Sequence, residues 1–185
     1  MNKGGTTVFR PLDEAVFFCY KGDDNMRKFE KISFEQFKKD IADDKELYES
    51  YKLPCRKTKK SAGYDFLAIR PFSIEPGEII KVPTGIKAIY PEDEALMLFV
   101  RSSMGFKYNV RMCNQVGIID SDYYNNPDNE GHMWIALQNH GDKTYSVKAG
   151  ESFGQGLFMK YFVTDDEEEI QNERIGGFGS TNKEV

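Results

Sequence analysis

Residues 114–123 read Asn-Gln-Val-Gly-Ile-Ile-Asp-Ser-Asp-Tyr, a short apolar run with an amide before it and two carboxylates and a tyrosine after it. A β-branched run of this length, bounded by polar residues, is typical of a strand. An apolar hairpin that opens onto Asn and Asp has the groups needed to hold a flat polar ring and to position a water molecule for attack. The stretch therefore predicts both a β fold and a candidate site.

The pattern of short strands continues on both sides of this stretch, through residues 61–163. Here β-branched and aromatic segments alternate with Pro and Gly turn signals about every ten residues. Many short strands with evenly spaced turns indicate a mainly β fold, which we expect to be a jelly-roll-like β-sandwich. The predicted strands are 64–68, 79–82, 85–90, 96–101, 116–119, 133–138, 144–147 and 152–162.

Residues 1–60 differ from the rest because they are rich in charge and carry a helical periodicity. Ser33 followed by Gln36 fits a capping box, and apolar residues then recur at helical spacing as far as Tyr48. We predict one amphipathic helix from about residue 33 to residue 51, and a strand or buried turn at the apolar run 15–20. The predicted organisation is an N-terminal extension (1–60), a β domain (61–163) and a flexible, Gly-rich C-terminal arm (164–185).

Composition and charge limit the classes of function. The chain has 185 residues, 39% of them hydrophobic, which suits one domain with a buried core. A net charge of -5 argues against a nonspecific nucleic-acid binder, because such proteins use a basic surface to displace counterions from phosphates. The apolar runs are too short for a membrane span, and the N-terminal residues lack the apolar region of a signal peptide. We therefore expect a cytoplasmic protein that binds neither nucleic acid nor membrane.

The cysteines do not predict a metal site or a disulfide. Cys19, Cys55 and Cys113 form an odd set without a C-x-x-C spacing, and His132 and His140 lie far from two of them in the sequence. We expect three reduced thiols.

Three more segments carry groups that a plain β-sandwich does not require. Residues 62–66 (AGYDF) place a carboxylate between aromatic rings, and residues 101–105 (RSSMG) combine a cation, two hydroxyls and a glycine, which suits a phosphate. Residues 176–181 (GGFGST) lack the lysine of a Walker A loop and fit a mobile arm with one aromatic lid. Taken singly, the three segments also fit a turn carboxylate, a Ser-rich turn and a disordered tail.

Together these segments resemble, in order and character, the five motifs of the all-β trimeric dUTPases. The motifs are AGYDF (62–66), RSSMG (101–105), NQVGIIDSDY (114–123), GESFGQ (150–155) and GGFGST (176–181). The resemblance spans residues 61–182, about two thirds of the chain, and the third motif is its most specific part. Residues 1–52 resemble the N-terminal extension of some bacterial and phage members.

The resemblance implies hydrolysis of dUTP to dUMP and pyrophosphate, which keeps uracil out of DNA and supplies dUMP for dTMP synthesis. Water attacks the α-phosphorus, and the triphosphate chelates Mg²⁺. Asp120 matches the carboxylate that orients and activates this water as a general base. Asp65 and Gln155 match the groups that hold waters in the outer shell of the metal.

The resemblance also implies the residues that bind dUTP. Tyr123 matches the aromatic ring that packs under deoxyribose and leaves no room for a 2′-hydroxyl. Asn114 and the backbone of the strand after it, at Gly117 and Ile119, match the hairpin that reads uracil. The remaining matches are the phosphate cradle and the arm over the nucleotide: Arg101, Ser102, Ser103, Phe178, Gly179, Ser180 and Thr181. Phe178 would close over uracil, and Ser180 and Thr181 would contact the γ-phosphate.

The resemblance implies a homotrimer whose active sites are shared between subunits.

Three departures from the family pattern stand out. Ser152 and Phe153 replace the usual Arg and aliphatic residue, and Arg174 lies one residue closer to Phe178 than the usual arm arginine. The loop 125–131 after Tyr123 is also longer than in many members.

Two other functions stay open at this stage. A dCTP deaminase shares the fold and trimer but would carry a catalytic Glu on the strand after the third motif, where residues 133–138 have no carboxylate. A protein that uses the nucleotide site as a switch for binding or regulation would not need Asp120, Asp65 and Gln155 together.

Overall fold

The structure is a computed structural model, and it describes residues 26–168. The predicted strand or turn at 15–20, the motif at 176–181 and Arg174 lie outside the described residues. The strands are β1 (Lys28–Lys31), β2 (Tyr64–Leu67), β3 (Phe72–Ile74), β4 (Ile79–Pro83), β5 (Ile86–Ile89), β6 (Glu94–Phe99), β7 (Val110–Met112), β8 (Gly117–Ile119), β9 (Trp134–Asn139), β10 (Tyr145–Val147) and β11 (Ser152–Lys160). The helices are α1 (Phe34–Asp40), α2 (Lys45–Ser50) and α3 (Ser102–Tyr108), with a 3₁₀ turn at Ser121–Tyr123.

The strands form antiparallel sheets around one core. The four-stranded sheet has the order β2-β11-β6-β8, and the three-stranded sheet has the order β4-β9-β7. Two pairs, β1-β5 and β3-β10, complete the arrangement within the described residues. Residues of β6 and β9 alternate between buried and half-buried, as expected where one face of a strand meets the core. The expectation of a mainly β, jelly-roll-like fold is confirmed.

All eight predicted strands are present, each with ends shifted by about two residues or fewer. The sequence does not predict β1, β3 and β7. Strands β3 and β7 have three residues each, too few to display an alternating pattern. Strand β1 reads Lys-Phe-Glu-Lys, so its single buried side chain, Phe29, is hidden among charges.

The prediction of one helix over residues 33–51 is wrong, because the structure has two. Ser33 caps α1 as predicted, its hydroxyl accepting the N–H of Gln36. The helix ends at Ile41, and Asp44 begins a second helix by accepting the N–H of Leu47 at 2.9 Å. Asp favours caps and turns over helix interiors, because its carboxylate competes for backbone N–H groups.

Helix α3 is also absent from the prediction, which places Ser102 and Ser103 at the end of a strand. The helix buries one side chain, that of Met104, and contains Gly105. Its ring at Phe106 is 93% exposed, so the segment has no apolar periodicity to reveal a helix.

The described part of the extension shares the core of the β domain. Strand β1 pairs with β5, and Phe29, Ile32, Phe37 and Tyr51 are buried with the core residues of the sheets. The hydroxyl of Tyr51 donates to the carbonyl of Gly85 at 2.8 Å.

The described residues include two free thiols, Cys55 and Cys113. None of the helices in the described residues is long and apolar enough to cross a membrane.

Candidate functional site

A cavity of about 630 Å³ lies beside the stretch 114–123. Its wall is mostly apolar, with a few polar groups that can orient a ligand. Five of the predicted site residues line it: Asn114, Gly117, Ile119, Asp120 and Tyr123. The other lining residues are Lys81, Leu98, Met112, Cys113, Ile118, Met133, Trp134 and Ala136. We call this space the motif-3 cavity.

The cavity opens where the chain crosses between two sheets. Strand β7 pairs with β9 in the three-stranded sheet, whereas β8 pairs with β6 in the four-stranded sheet. The expectation of a hairpin between these two strands is therefore wrong. Residues 113–116 instead form a tight turn, here called the crossing, that connects the two sheets. Gln115 has a φ of 62° in this crossing, and its N–H donates to the carbonyl of Met112 at 3.1 Å. The crossing places Asn114 at the cavity wall.

Asp120 is exposed at the end of β8, where the 3₁₀ turn begins. Tyr90 fixes the strand just before it, since its hydroxyl donates to the carbonyl of Ile119 at 2.6 Å. Burial raises the pKa of Tyr90, so the hydroxyl stays protonated and remains a donor at neutral pH. The carboxylate of Asp120 is thus accessible to a ligand but stands on a fixed backbone.

Tyr123 is buried, with 6% of its surface exposed. Its N–H donates to the carbonyl of Asp120 at 3.1 Å, which closes the 3₁₀ turn. Its hydroxyl donates to the carbonyl of His132 at 3.1 Å and accepts from Nδ2 of Asn129 at 2.9 Å. The ring is held at both ends while it lines the motif-3 cavity.

A second cavity, about 350 Å³, is lined by four predicted site residues from the first, second and fourth motifs: Asp65, Arg101, Ser102 and Gln155. Asp65 on β2 is paired in register with Gln155 on β11, and Nε of Arg101 lies 3.5 Å from Oδ1 of Asp65. Nε2 of Gln155 donates to the carbonyl of Val100 at 3.1 Å. The lining consists of Lys57, Ser61, Ala62, Gly63, Asp65, Arg101, Ser102 and Gln155. We call this space the phosphate cavity, for its cations and hydroxyls.

The donor set of the phosphate cavity fits water molecules around a divalent cation better than a direct protein cage. Oδ2 of Asp65 is buried and has no hydrogen-bond partner among the described residues. Such an oxygen needs a partner, and an ordered water supplies one. No group of three or more His, Cys, Asp or Glu within residues 26–168 could hold a metal directly. Asp65 and Gln155 thus fit an outer-shell role for Mg²⁺.

The absence of a side chain at Gly63 leaves space for the amide of Gln155. A Cβ at residue 63 would lie 2.5 Å from Oε1 of Gln155, so a side chain there would displace the amide. The sequence did not single out this contact, although the glycine is part of the first motif.

The two cavities contain most of the predicted site residues but share no lining residue. Ser103 lies in α3 next to Ser102 and lines neither cavity. Phe178, Gly179, Ser180 and Thr181 lie outside the described residues. The candidate base and the candidate phosphate ligands therefore line two different cavities of this chain.

Sequence reasoning missed several cavity residues. Lys57 adds a cation to the phosphate cavity, where Cys55 and Asp65 exchange backbone hydrogen bonds and bring the basic linker alongside. Lys81 and Trp134 line the motif-3 cavity. The basic composition of residues 53–60 was a signal for Lys57, but the strand pattern gives none for Lys81 or Trp134.

The departure in the fourth motif has a packing explanation. Phe153 is fully buried and stacks edge-on against Phe72 with ring centroids 5.5 Å apart. Ser152 is half-buried and pairs with Leu67, and neither residue lines a cavity. An aromatic core contact thus occupies the position of the aliphatic residue.

Comparisons with known proteins identify relatives of this chain. A family model described as dUTPase matches residues 49–182. The deoxyuridine 5'-triphosphate nucleotidohydrolase of Lactococcus lactis subsp. lactis is 48% identical over 130 residues, which cover 70% of this chain and 87% of that protein. The crystal structure of a dUTPase from Streptococcus mutans is 41% identical with a TM-score of 0.60, covering 74% of this chain and 98% of the other.

A mutant dUTPase of phage phi11 of S. aureus, whose structure is described as revealing the coordination of a structural Mg(II) ion, has a TM-score of 0.57. The likeness covers 80% of this chain and 98% of the phage protein. At 18% identity it shows the shared fold alone.

Proposed function

The chain belongs to the dUTPase family, and from this premise we propose that it hydrolyses dUTP to dUMP and pyrophosphate by attack of water on the α-phosphorus. The observation that carries the proposal is the motif-3 cavity, in which an exposed carboxylate, Asp120, stands beside a buried ring, Tyr123. A carboxylate on a fixed backbone can orient a water and accept its proton as the new P–O bond forms.

The apolar walls of the motif-3 cavity suit a nucleoside. Asn114 and the backbone at Gly117 and Ile119 present polar groups to the edge of a base. Tyr123 would pack against the sugar, and its ring would leave no space for a 2′-hydroxyl. These contacts support uracil and deoxyribose as the parts of the substrate that enter this cavity.

The phosphate cavity suits the triphosphate. Arg101 offers a forked donor, and Ser102 stands in the first turn of α3, where backbone N–H groups lack helical acceptors. Mg²⁺ bound to the triphosphate would neutralise charge that develops on the phosphate oxygens. Asp65 and Gln155 would hold waters of that ion's outer shell, and Oδ2 of Asp65, which has no hydrogen-bond partner within the described residues, could accept from one of them.

We propose further that the protein is a homotrimer in which the motif-3 cavity of one subunit meets the phosphate cavity of the next. The support is that the two cavities of one chain share no lining residue, while the reaction needs both. The residues of the arm, Phe178, Gly179, Ser180 and Thr181, would close over the nucleotide from a third subunit. The protein would act in the cytoplasm.

The deaminase alternative finds no support at the site. Strand β9, which follows the third motif, reads Trp-Ile-Ala-Leu-Gln-Asn and has no carboxylate to serve that reaction.

We expect dUTP to be hydrolysed far faster than dCTP, dTTP or UTP, and EDTA to remove most of the rate. Tyr123 limits the sugar and the Asn114 crossing limits the base, whereas the triphosphate needs its metal. The measurement is release of pyrophosphate from each nucleotide with Mg²⁺ and with excess EDTA. Comparable turnover of UTP and dUTP would contradict the role of Tyr123, and absence of dUTP hydrolysis would contradict the proposed function.

A further inference from the structure

The loop that follows Tyr123 has an internal framework built by two asparagines. Asn126 is 4% exposed, and its Nδ2 donates to the carbonyl of Tyr123 at 3.1 Å and to Oδ1 of Asn129 at 2.8 Å. Oδ1 of Asn129 also accepts the N–H of Gly131 at 3.1 Å. We call residues 124–132 the Asn loop. Its asparagines fix the loop to the residue that precedes it.

Asn129 reaches the far end of the Tyr123 ring. Its Nδ2 donates to the hydroxyl of Tyr123 at 2.9 Å, while that hydroxyl donates to the carbonyl of His132 at 3.1 Å. The hydroxyl is therefore bound on two sides by the Asn loop. A ring that has to exclude one oxygen atom from the sugar must not shift sideways, and these two bonds oppose such a shift.

The extension holds the Asn loop from outside through Asp40. The imidazole of His132 is fully buried, and its Nε2 accepts the N–H of Gly85 at 2.9 Å. Nε2 must therefore be the unprotonated nitrogen, so Nδ1–H donates to Oδ2 of Asp40 at 2.6 Å. Burial lowers the pKa of His132, although Asp40 opposes this shift, and the ring stays neutral in this tautomer at neutral pH.

A second contact joins the loop to Ser33, the cap of α1. The carboxylate of Glu130 accepts the N–H of Ser33 at 2.9 Å and also its hydroxyl. Burial would raise the pKa of Glu130, but the hydrogen bonds from Ser33 and the charge of Lys87 lower it, so the carboxylate is ionised at neutral pH. Two independent contacts thus tie α1 to the loop that carries Asn129.

We propose that Asn129 is a positioning residue that sets sugar specificity by holding the Tyr123 hydroxyl, and that α1 of the extension keeps the Asn loop in place through the Asp40–His132 contact. This inference rests on the proposed function, because it concerns how the same site rejects a 2′-hydroxyl. It gives the extension a part in substrate selection.

The test compares kcat/KM for dUTP and UTP in Asn129→Ala, Tyr123→Phe and the double variant. Each single variant removes one partner of the same hydrogen bond, so the dUTP:UTP ratio is expected to fall by about 3- to 10-fold. The fall should come from a gain on UTP, and in Asn129→Ala kcat for dUTP should stay near the wild-type value. In the double variant the ratio should fall no further than in Tyr123→Phe, because the hydrogen bond that Asn129→Ala removes is already absent there.

Asp128→Ala is the matched control, because it truncates the exposed neighbour of Asn129 and should leave the ratio unchanged. Tyr123→Phe keeps the test decisive if Asn129→Ala unfolds the loop, since it removes the hydroxyl and keeps the ring. An unchanged ratio in both single variants, or effects that multiply in the double variant, would overturn the role of Asn129. Absence of dUTP hydrolysis in the wild type would instead overturn the proposed function.

A second pair of variants tests the extension. Asp40→Ala removes the acceptor of His132 and is expected to lower the dUTP:UTP ratio in the same direction as Asn129→Ala. Asp43→Ala removes an exposed carboxylate just beyond α1 and should leave the ratio unchanged. A wild-type ratio in Asp40→Ala would overturn the part of the proposal that concerns α1.

Discussion

Asp120→Asn is expected to lower kcat for dUTP by about 10²- to 10⁴-fold, the usual contribution of a positioned general base. The amide keeps the size of the carboxylate but cannot accept a proton from water. Because Asp120 is exposed at the end of β8, the substitution should leave the fold and nucleotide affinity nearly unchanged. Steady-state turnover together with binding of a non-hydrolysable dUTP analogue measures both effects.

Asp122→Asn is the matched control for this variant. Asp122 is an exposed carboxylate in the same 3₁₀ turn and does not line the motif-3 cavity. Its replacement should change kcat by less than about twofold. A drop of less than threefold in Asp120→Asn would show that the water is activated elsewhere.

Arg101→Gln is expected to lower kcat/KM for dUTP by about 10²- to 10³-fold, the range measured when one donor to a developing oxyanion is removed. The side chain loses its charge, and Oδ1 of Asp65 loses the cation 3.5 Å away. Binding of the triphosphate should weaken as well, so KM should rise while kcat falls. Kinetics over a range of dUTP concentrations separates the two terms.

Arg111→Gln controls for the loss of one positive charge from the protein. The Arg111 guanidinium is exposed, hydrogen-bonds the side chain of Asn109 and lines neither cavity. Its replacement should leave kcat/KM close to the wild-type value. Equal losses in Arg101→Gln and Arg111→Gln would indicate a general electrostatic effect and not a contact with phosphate.

The strands of the β domain could be predicted because their patterning is local. Strands β6 and β9 alternate buried and half-buried positions over six residues each, which is long enough for a period of two to be visible. Helix α3 could not be predicted, because it turns only Met104 towards the core. The break between α1 and α2 depends on the cap at Asp44. The sequence does not reveal this cap, because apolar residues continue at helical spacing on both sides of it.

Motifs in the sequence were enough to name the candidate site residues, but not to predict which residues they contact in the fold. Asp65 and Gln155 are far apart in sequence and become neighbours through the pairing of β2 with β11. The contact of Asp40 with His132 likewise depends on the packing of α1 against the Asn loop. Such contacts arise from tertiary packing, for which a single sequence carries no periodic signal.

The division of the site between subunits is the central claim, and it can be tested by combining two damaged chains. Asp120→Asn and Arg101→Gln chains, each with a different affinity tag, would be co-expressed and purified on both tags in turn. Only trimers that contain both chains survive this purification. Each variant alone should have little activity, because one carries a damaged motif-3 cavity and the other a damaged phosphate cavity.

In a cyclic trimer with shared sites, every mixed assembly contains one junction at which an intact motif-3 cavity meets an intact phosphate cavity. The account therefore predicts that mixed trimers recover about one third of wild-type turnover, whether they contain one or two copies of either chain. Mixed trimers that are no more active than the two parent variants would contradict it, because they would show that each chain builds its site from its own two cavities.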